Sequence, residues 1–178
     1  DCVAAVRWLR ENAGKYGYRG DRLGAHGHSA GGLLASFLAT TGAVDAACDE
    51  CGVPHDFTFF TRPDIKTRYA KVTENLRLYL GAPVEERPEL ARQMSPATHI
   101  SKLTAPLLLI HGEADNNPGT FPLQSERMFQ AVKGNGGVAR LVLLPNESHA
   151  YEARESVEHV IWEMFNWFDR YVKNAENP

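Results

Sequence analysis

The stretch 23-LGAHGHSAGG-32 decides the fold, because an apolar run ends there in three glycines around one serine and a helical pattern begins at once. Gly27-His28-Ser29-Ala30-Gly31 is a G-x-S-x-G match. Between a strand and a helix this pattern makes a turn so sharp that the serine oxygen stands clear at the helix's start, and glycines beside the serine let the chain make it. Upstream, Cys2, Val3, Val6, Leu9 and Ala13 recur at helical spacing, with Gly14 where a helix would end. Downstream, Leu33, Leu34, Phe37 and Leu38 form the apolar face of a helix that stops near Gly42.

Further along, "VDAACDECGV" (44–53) is a strand candidate weakened by its acidic pair. "PLLLIHG" (106–112) and "ARLVLLP" (139–145) are stronger, since continuous aliphatic runs bounded by Pro and Gly are what a strand buried on both faces looks like. A helix is expected over Phe121 to Lys133, opened by Thr120 and a first-turn Pro122. The last helix carries Val157, Ile161, Phe165, Phe168 and Val172 on one face. This alternation predicts an α/β fold, a parallel sheet of about four strands with helices on both faces. From Pro54 to Ser95 it is interrupted by an excursion of helical pieces, of which Tyr69 to Leu80 is the clearest, and by the aromatic run Phe57, Phe59, Phe60. That run is expected either to line an acyl or side-chain pocket or to form the excursion's own core.

Ligands of an open parallel sheet bind beyond the carboxyl ends of its strands. Three loops there carry chemistry: the turn at Ser29, Glu113-Ala114-Asp115 after the third strand, and Asn146-Glu147-Ser148-His149 after the fourth. The order Ser29, Asp115, His149 is that of a nucleophile, an orienting acid and a base in hydrolases with this turn. A serine hydroxyl attacks near neutral pH only when an imidazole takes its proton, and a carboxylate must hold that imidazole in the right tautomer. Glu113 shares the loop and competes with Asp115 for the acid's place. The Ala30 N–H, at the helix's start, is placed to donate to a developing oxyanion. Activity is then expected to fall in mild acid, as His149 takes a proton.

Other features point away from other classes. The chain of 178 residues has 43% apolar and 23% charged residues, and 19 basic against 22 acidic side chains give a net charge of −3. No basic stripe tracks a phosphate backbone, so no nucleic-acid partner is expected. No apolar run approaches the roughly 20 residues of a membrane-spanning helix, so no membrane partner is expected either. Three cysteines cannot all pair internally, which favours a reducing, cytoplasmic compartment. Cys48 and Cys51 form a C-x-x-C without a second pair, and small buried cysteines are the expectation. His26 and His28 form an H-x-H pair with no third ligand at metal-site spacing, so neither metal nor cofactor is expected.

From about Met94 to Lys173 the chain resembles the end of the catalytic domain in the prolyl oligopeptidase family of serine peptidases, above all its glutamyl endopeptidase branch. "HGEADNNPG", "QSER", "LPNESHAY" and "ARES" carry the resemblance. It implies an α/β-hydrolase fold and hydrolysis of peptide bonds, with Ser29, Asp115 and His149 at the positions matching the triad. The earlier part departs from that branch, which usually has tyrosine directly after the serine. There, "GHSAGG" and "RPELARQMSPATHIS" are more similar to small bacterial esterases and lipases. A peptide or an ester substrate is therefore expected, the alternative being a non-catalytic remnant used for binding or assembly. No residue matches a glutamate-selecting pocket, although Arg62, Lys66 and Arg68 are carboxylate partners by charge. Residues 1–178 are expected to be the carboxyl-terminal half of the domain. The resemblance places the amino-terminal half of the domain upstream, with the loop that supplies the second oxyanion donor; a β-propeller before it would mark the peptidase and an HGGG-type loop the esterase, and the isolated chain is expected to be inactive or to aggregate.

Overall fold

The computed structural model describes residues 1–68 and 70–175. Four strands, β1 (Gly24–His28), β2 (Ala46–Glu50), β3 (Leu107–Gly112) and β4 (Ala139–Leu144), form one sheet in the order β1-β2-β3-β4. All three pairings are parallel, so the carboxyl ends of the strands share one rim. Helix α1 (Cys2–Tyr16) precedes β1, and α2 (Ala30–Thr40) joins β1 to β2. The excursion, with α3 (Pro63–Arg68), α4 (Ala70–Leu80) and α5 (Pro88–Met94), joins β2 to β3. α6 (Leu123–Gly134) joins β3 to β4, and α7 (Arg154–Phe168) closes the chain.

Strand alternation divides the core into two layers. Ala47, Leu107 and Leu109 pack with Val6, Ala35, Leu38, Met128 and Val132 from α1, α2 and α6. Ala46, Cys48, Leu108 and Ile110 face the other way, onto Val160 and Trp167 of α7. Helices therefore cover both faces, as expected. The excursion has a small core of its own, in which Phe57, Phe59 and Phe60 pack with Ile65, Val72 and Leu76. Core packing is thus the correct one of the two readings for the aromatic run. No helix among the described residues is long and apolar enough to cross a membrane.

Several local expectations are corrected. α1 runs past Gly14 to Tyr16 and is closed by Gly17, whose φ of 72° is the left-handed conformation glycine supplies. α6 starts at Leu123, because the Thr120 hydroxyl is bound to Asp115 at 2.8 Å and does not cap a helix. The helix expected over Tyr69 to Leu80 is found as α4 from Ala70 to Leu80, Tyr69 lying outside the described residues. β2 is a buried strand despite its acidic pair. Asp49 accepts from the Gly52 N–H and His55 Nε2, both at 2.7 Å, and from the Ser36 hydroxyl, while Glu50 lies 2.5 Å from His26 Nε2. β4 is one of the sheet's two edge strands, with β1 at the other, and of its residues only Val142 and Leu144 are buried. On α7 the expected face is split: Val157, Ile161 and Phe165 are 39%, 46% and 69% exposed, while Phe168, and Val172 just beyond the helix, pack inward against the sheet. The inward line is Val160, Met164 and Trp167, with Glu163 buried under a two-pronged bond to Arg140 at 2.5 and 2.7 Å.

Candidate active site

β1 ends one residue before Ser29, which adopts φ 56° and ψ −120° and caps α2. A non-glycine residue held there costs about 1–3 kcal/mol, which the surroundings must offset. The Ser29 N–H bonds the Glu50 carbonyl at 2.8 Å, pinning the turn to the end of β2. The glycines contribute unequally. A Cβ on Gly27 would sit 2.1 Å from the Gly31 carbonyl oxygen, and one on Gly32 would sit 2.5 Å from Asp49 Oδ1. One on Gly31 meets nothing within 4 Å. The tight positions are Gly27 and Gly32, which corrects the expectation that both glycines flanking the serine are sterically required.

Ser29, Asp115 and His149 meet at the rim. His149 Nε2 lies 3.0 Å from Ser29 Oγ and its Nδ1 lies 2.8 Å from Asp115 Oδ2, across 120 and 34 residues of chain. An ionised carboxylate only accepts, so Nδ1 carries the hydrogen and the Nε2 lone pair faces the serine hydroxyl. An imidazole in that tautomer can take the hydroxyl proton, and the carboxylate stabilises the imidazolium that results. Glu113, the competing acid, is exposed, whereas Asp115 is buried. The Ala30 N–H is the first of α2, where no carbonyl one turn earlier in the helix can receive it. Ala30 and Ser29 both line a cavity of about 170 Å³.

Asp115 is held from several sides. Burial alone would raise its carboxyl, but bonds from His111, His149, the Asn117 amide and Thr120 outweigh burial and bring it down to about 2. His111, near the end of β3, is fully buried. Its Nε2 reaches Asp115 Oδ2 at 3.1 Å and the Thr120 carbonyl at 2.5 Å, both acceptors, so this nitrogen donates. Nδ1 then accepts from the Ser125 hydroxyl at 2.7 Å. The i, i+4 spacing of His111 and Asp115 was the sequence signal for this pair.

Two further residues fix the His149 loop. Glu147 accepts from the Glu152 and Ala153 amides at 2.8 and 3.0 Å, tying the loop to the start of α7. His28 places Nε2 2.9 Å from the His149 carbonyl, and the two rings stand 4.9 Å apart. Nothing in the G-x-S-x-G pattern announces this, because the loop is 121 residues away.

The cysteines are free, as expected, and Cys48 and Cys51 are buried. Burial pushes the Cys48 thiol upward and the Cys51 thiol to about 11, so neither is an activated nucleophile. Cys51 Sγ lies 3.2 Å from the Tyr151 hydroxyl. Among the described residues His26 and His28 do not share a ligand set, and each has its own neighbours from β2 and the loops. His26 gathers with Cys48 and Glu50, and His28 with Cys51 and His149, each set having ligand atoms within 4.8 Å of one another.

The cavity beside Ser29 is lined by Val53, Pro54, Val72, Leu76 and Tyr79, with Asn75 and Asn117 as polar members. The charged candidates are engaged elsewhere. Arg62 pairs with Asp64 at 3.1 Å and Lys66 with Glu85 at 2.7 Å, while the Arg68 side chain lies outside the described residues.

Residues 1–131 match the BD-FAE family. A probable chloroplastic glutamyl endopeptidase of Arabidopsis thaliana is 56% identical over 79 residues, 44% of this chain and 8% of that protein. Esterase LipQ of Mycobacterium tuberculosis is 26% identical over 174 residues, 88% of this chain and 39% of the esterase. Among solved structures, a puromycin-hydrolyzing peptidase of Mycobacterium tuberculosis superposes with a TM-score of 0.75 at 24% identity, covering 97% of this chain and 25% of that one. The chain thus spans well under half the length of these relatives, and the sheet and its helices are those of the α/β-hydrolase fold.

Proposed function

The chain belongs to the BD-FAE family, within the α/β-hydrolase superfamily, and from that premise we propose that it is a serine hydrolase cleaving peptide bonds through an acyl-enzyme. Ser29 Oγ attacks the carbonyl carbon while His149 Nε2 takes its proton. Asp115 holds the imidazolium, and the Ala30 N–H donates to the oxyanion. His149 then passes its proton to the leaving amine, and water repeats the sequence to release the acid. The observation that carries this reading is the pair of bonds at one ring, 3.0 Å to Ser29 and 2.8 Å to Asp115. Labelling of the full-length protein by a fluorophosphonate probe, abolished in Ser29→Ala, tests it. A folded protein that the probe does not label overturns it in favour of the non-catalytic remnant.

The cavity beside Ser29 supports an uncharged, largely apolar group next to the scissile bond. Its volume of about 170 Å³ suits one side chain or a short acyl group, and no cation is among its lining residues. A glutamate carboxylate there would lose water and find only neutral donors, with no cation to offset its charge. A second reading, carboxylesterase on small acyl esters, draws support from Ala30-Gly31-Gly32 and from the esterase relative, which covers more of the chain than the endopeptidase does. Cleavage of peptide amides together with p-nitrophenyl esters favours the peptidase. Ester cleavage alone favours the esterase.

A further inference from the structure

We propose that His28, Cys51 and His149 form an inhibitory site for a thiophilic divalent cation, Zn²⁺ foremost, which silences Ser29 by capturing the His149 ring. The inhibitory consequence rests on the hydrolase reading above; the metal site itself does not.

One ring nitrogen from each histidine and the Cys51 sulfur lie within 4.8 Å of one another. Two imidazoles and a thiolate are a donor set that suits Zn²⁺ and leaves a fourth position for water. Tetrahedral bonds of ~2.0–2.1 Å to nitrogen and ~2.3 Å to sulfur put ligands roughly 3.5 Å apart, so the three groups close by about 1 Å. His28 is exposed and opens a path from solvent, while Cys51 forms a buried floor. Because the His149 carbonyl can only accept, the neutral His28 ring carries its hydrogen on Nε2 and its lone pair on Nδ1. That is a metal-binding tautomer.

The other two clusters fit less well. Cys51, His111 and Asp115 are all buried, with no exposed member to admit an ion. In the His26, Cys48 and Glu50 set, two of the three ligands already neutralise each other across 2.5 Å. At His28, Cys51 and His149 the thiol meets the Tyr151 hydroxyl and the Gly112 amide, and that hydroxyl keeps the Ile110 carbonyl at 3.3 Å when the sulfur leaves it.

Binding forms a metal–thiolate bond, and the thiol proton passes to solvent. Both nitrogens of His149 are engaged, one with Ser29 and one with Asp115. A metal on either nitrogen therefore breaks the arrangement that activates the serine. Inhibition is reversible, because a chelator returns the ring to its partners.

The test uses the full-length protein, freed of metal with a chelator. Zn²⁺ should suppress kcat/KM and excess chelator restore it, while Mg²⁺ and Ca²⁺, which prefer oxygen ligands, leave it unchanged. Each variant is normalised to its own metal-free rate. Cys51→Ser and His28→Asn should each raise the half-inhibiting Zn²⁺ concentration at least ~10–100-fold, the range already typical of losing a mere supporting partner. Co²⁺ added to Ser29→Ala should give thiolate-to-metal absorption that Cys51→Ser abolishes. Zn²⁺ insensitivity with no such absorption overturns the site, and so does equal inhibition of wild type and both variants. Absorption without any hydrolytic activity keeps the site and overturns the hydrolase reading. If Cys51→Ser fails to fold, the His28→Asn titration alone decides in the same two directions.

Discussion

Gly112 and Glu147 stand so close that a Cβ on Gly112 would lie 2.3 Å from the Glu147 carbonyl oxygen. The same carbonyl accepts from the Ala114 amide at 2.9 Å. The last residue of β3 therefore sets how closely the loop bearing His149 approaches the loop bearing Asp115. Gly112→Ala must push the two apart, since the atoms in the way are backbone. A shift of ~1 Å at a reacting group can cost about 10²-fold in rate. The expected result is a folded variant, judged by circular dichroism, with turnover and fluorophosphonate labelling both reduced about 10²-fold. Unchanged turnover would show that the contact does not position His149.

Ser29 sits at φ 56°, where a side chain is strained and glycine is not. Ser29→Gly and Ser29→Ala should both lose labelling, yet differ in stability. The glycine variant should be the more stable by about 1 kcal/mol, because it relieves a strain of ~1–3 kcal/mol but loosens the unfolded chain. Urea unfolding of the two variants measures the difference. Equal midpoints would mean that the turn stores no strain.

The meeting of Ser29, Asp115 and His149 was legible in the sequence because its signals are local: a glycine-flanked serine after a strand, then an acid and an imidazole after later strands. What surrounds it was not. His28 reaches the His149 carbonyl and His111 reaches Asp115 through the folding of the sheet, and sequence spacing exposes only the second pair. β2 looked doubtful because Asp49 and Glu50 are rare inside a sheet, and their partners come from α2, β1 and the loop beyond. α7 presents two apolar lines, and periodicity alone grouped Val157, Ile161 and Phe165, which face outward, with Phe168 and Val172, which pack inward beside the buried Val160 and Trp167 and the partly buried Met164. Which line faces inward depends on what the helix packs against, and that is tertiary information.

Asp49 is fully buried and holds Ser36, Gly52 and His55 together. It thereby shapes the loop that carries Val53 and Pro54 to the cavity beside Ser29. Asp49→Ala leaves three buried donors without their acceptor, at a cost of about 1–3 kcal/mol for each that finds no other partner. The unfolding midpoint should fall accordingly. A loss under about 1 kcal/mol would assign the network no structural role.

A cation placed at the cavity should alter which group it accepts. Asn75 is a polar lining residue on an exposed part of α4, so Asn75→Arg adds charge without disturbing the core. Relative to an alanyl substrate, kcat/KM for a glutamyl substrate should rise roughly tenfold, about 1.4 kcal/mol of transition-state binding. An unchanged ratio would place the selecting pocket elsewhere.

Asp115 makes the protein sensitive to acid in a defined window. Its carboxyl is held at about 2, below the ordinary 3.8, because four hydrogen bonds outweigh the effect of burial. A group depressed in the folded state binds its proton more readily when unfolded. Its contribution is therefore complete above the ordinary value and is lost as the pH falls from about 4 towards 2. At ~1.4 kcal/mol per pK unit the shift corresponds to about 2 kcal/mol. Other depressed carboxylates, Glu85, Glu89 and Glu147 among them, also lose stability in acid. The informative quantity is the difference between wild type and Asp115→Asn, which retains shape but does not titrate. Between pH 5 and pH 2 the wild type should lose about 2 kcal/mol more unfolding free energy than the variant. Parallel losses would mean that Asp115 is not held ionised by His111, His149, Asn117 and Thr120.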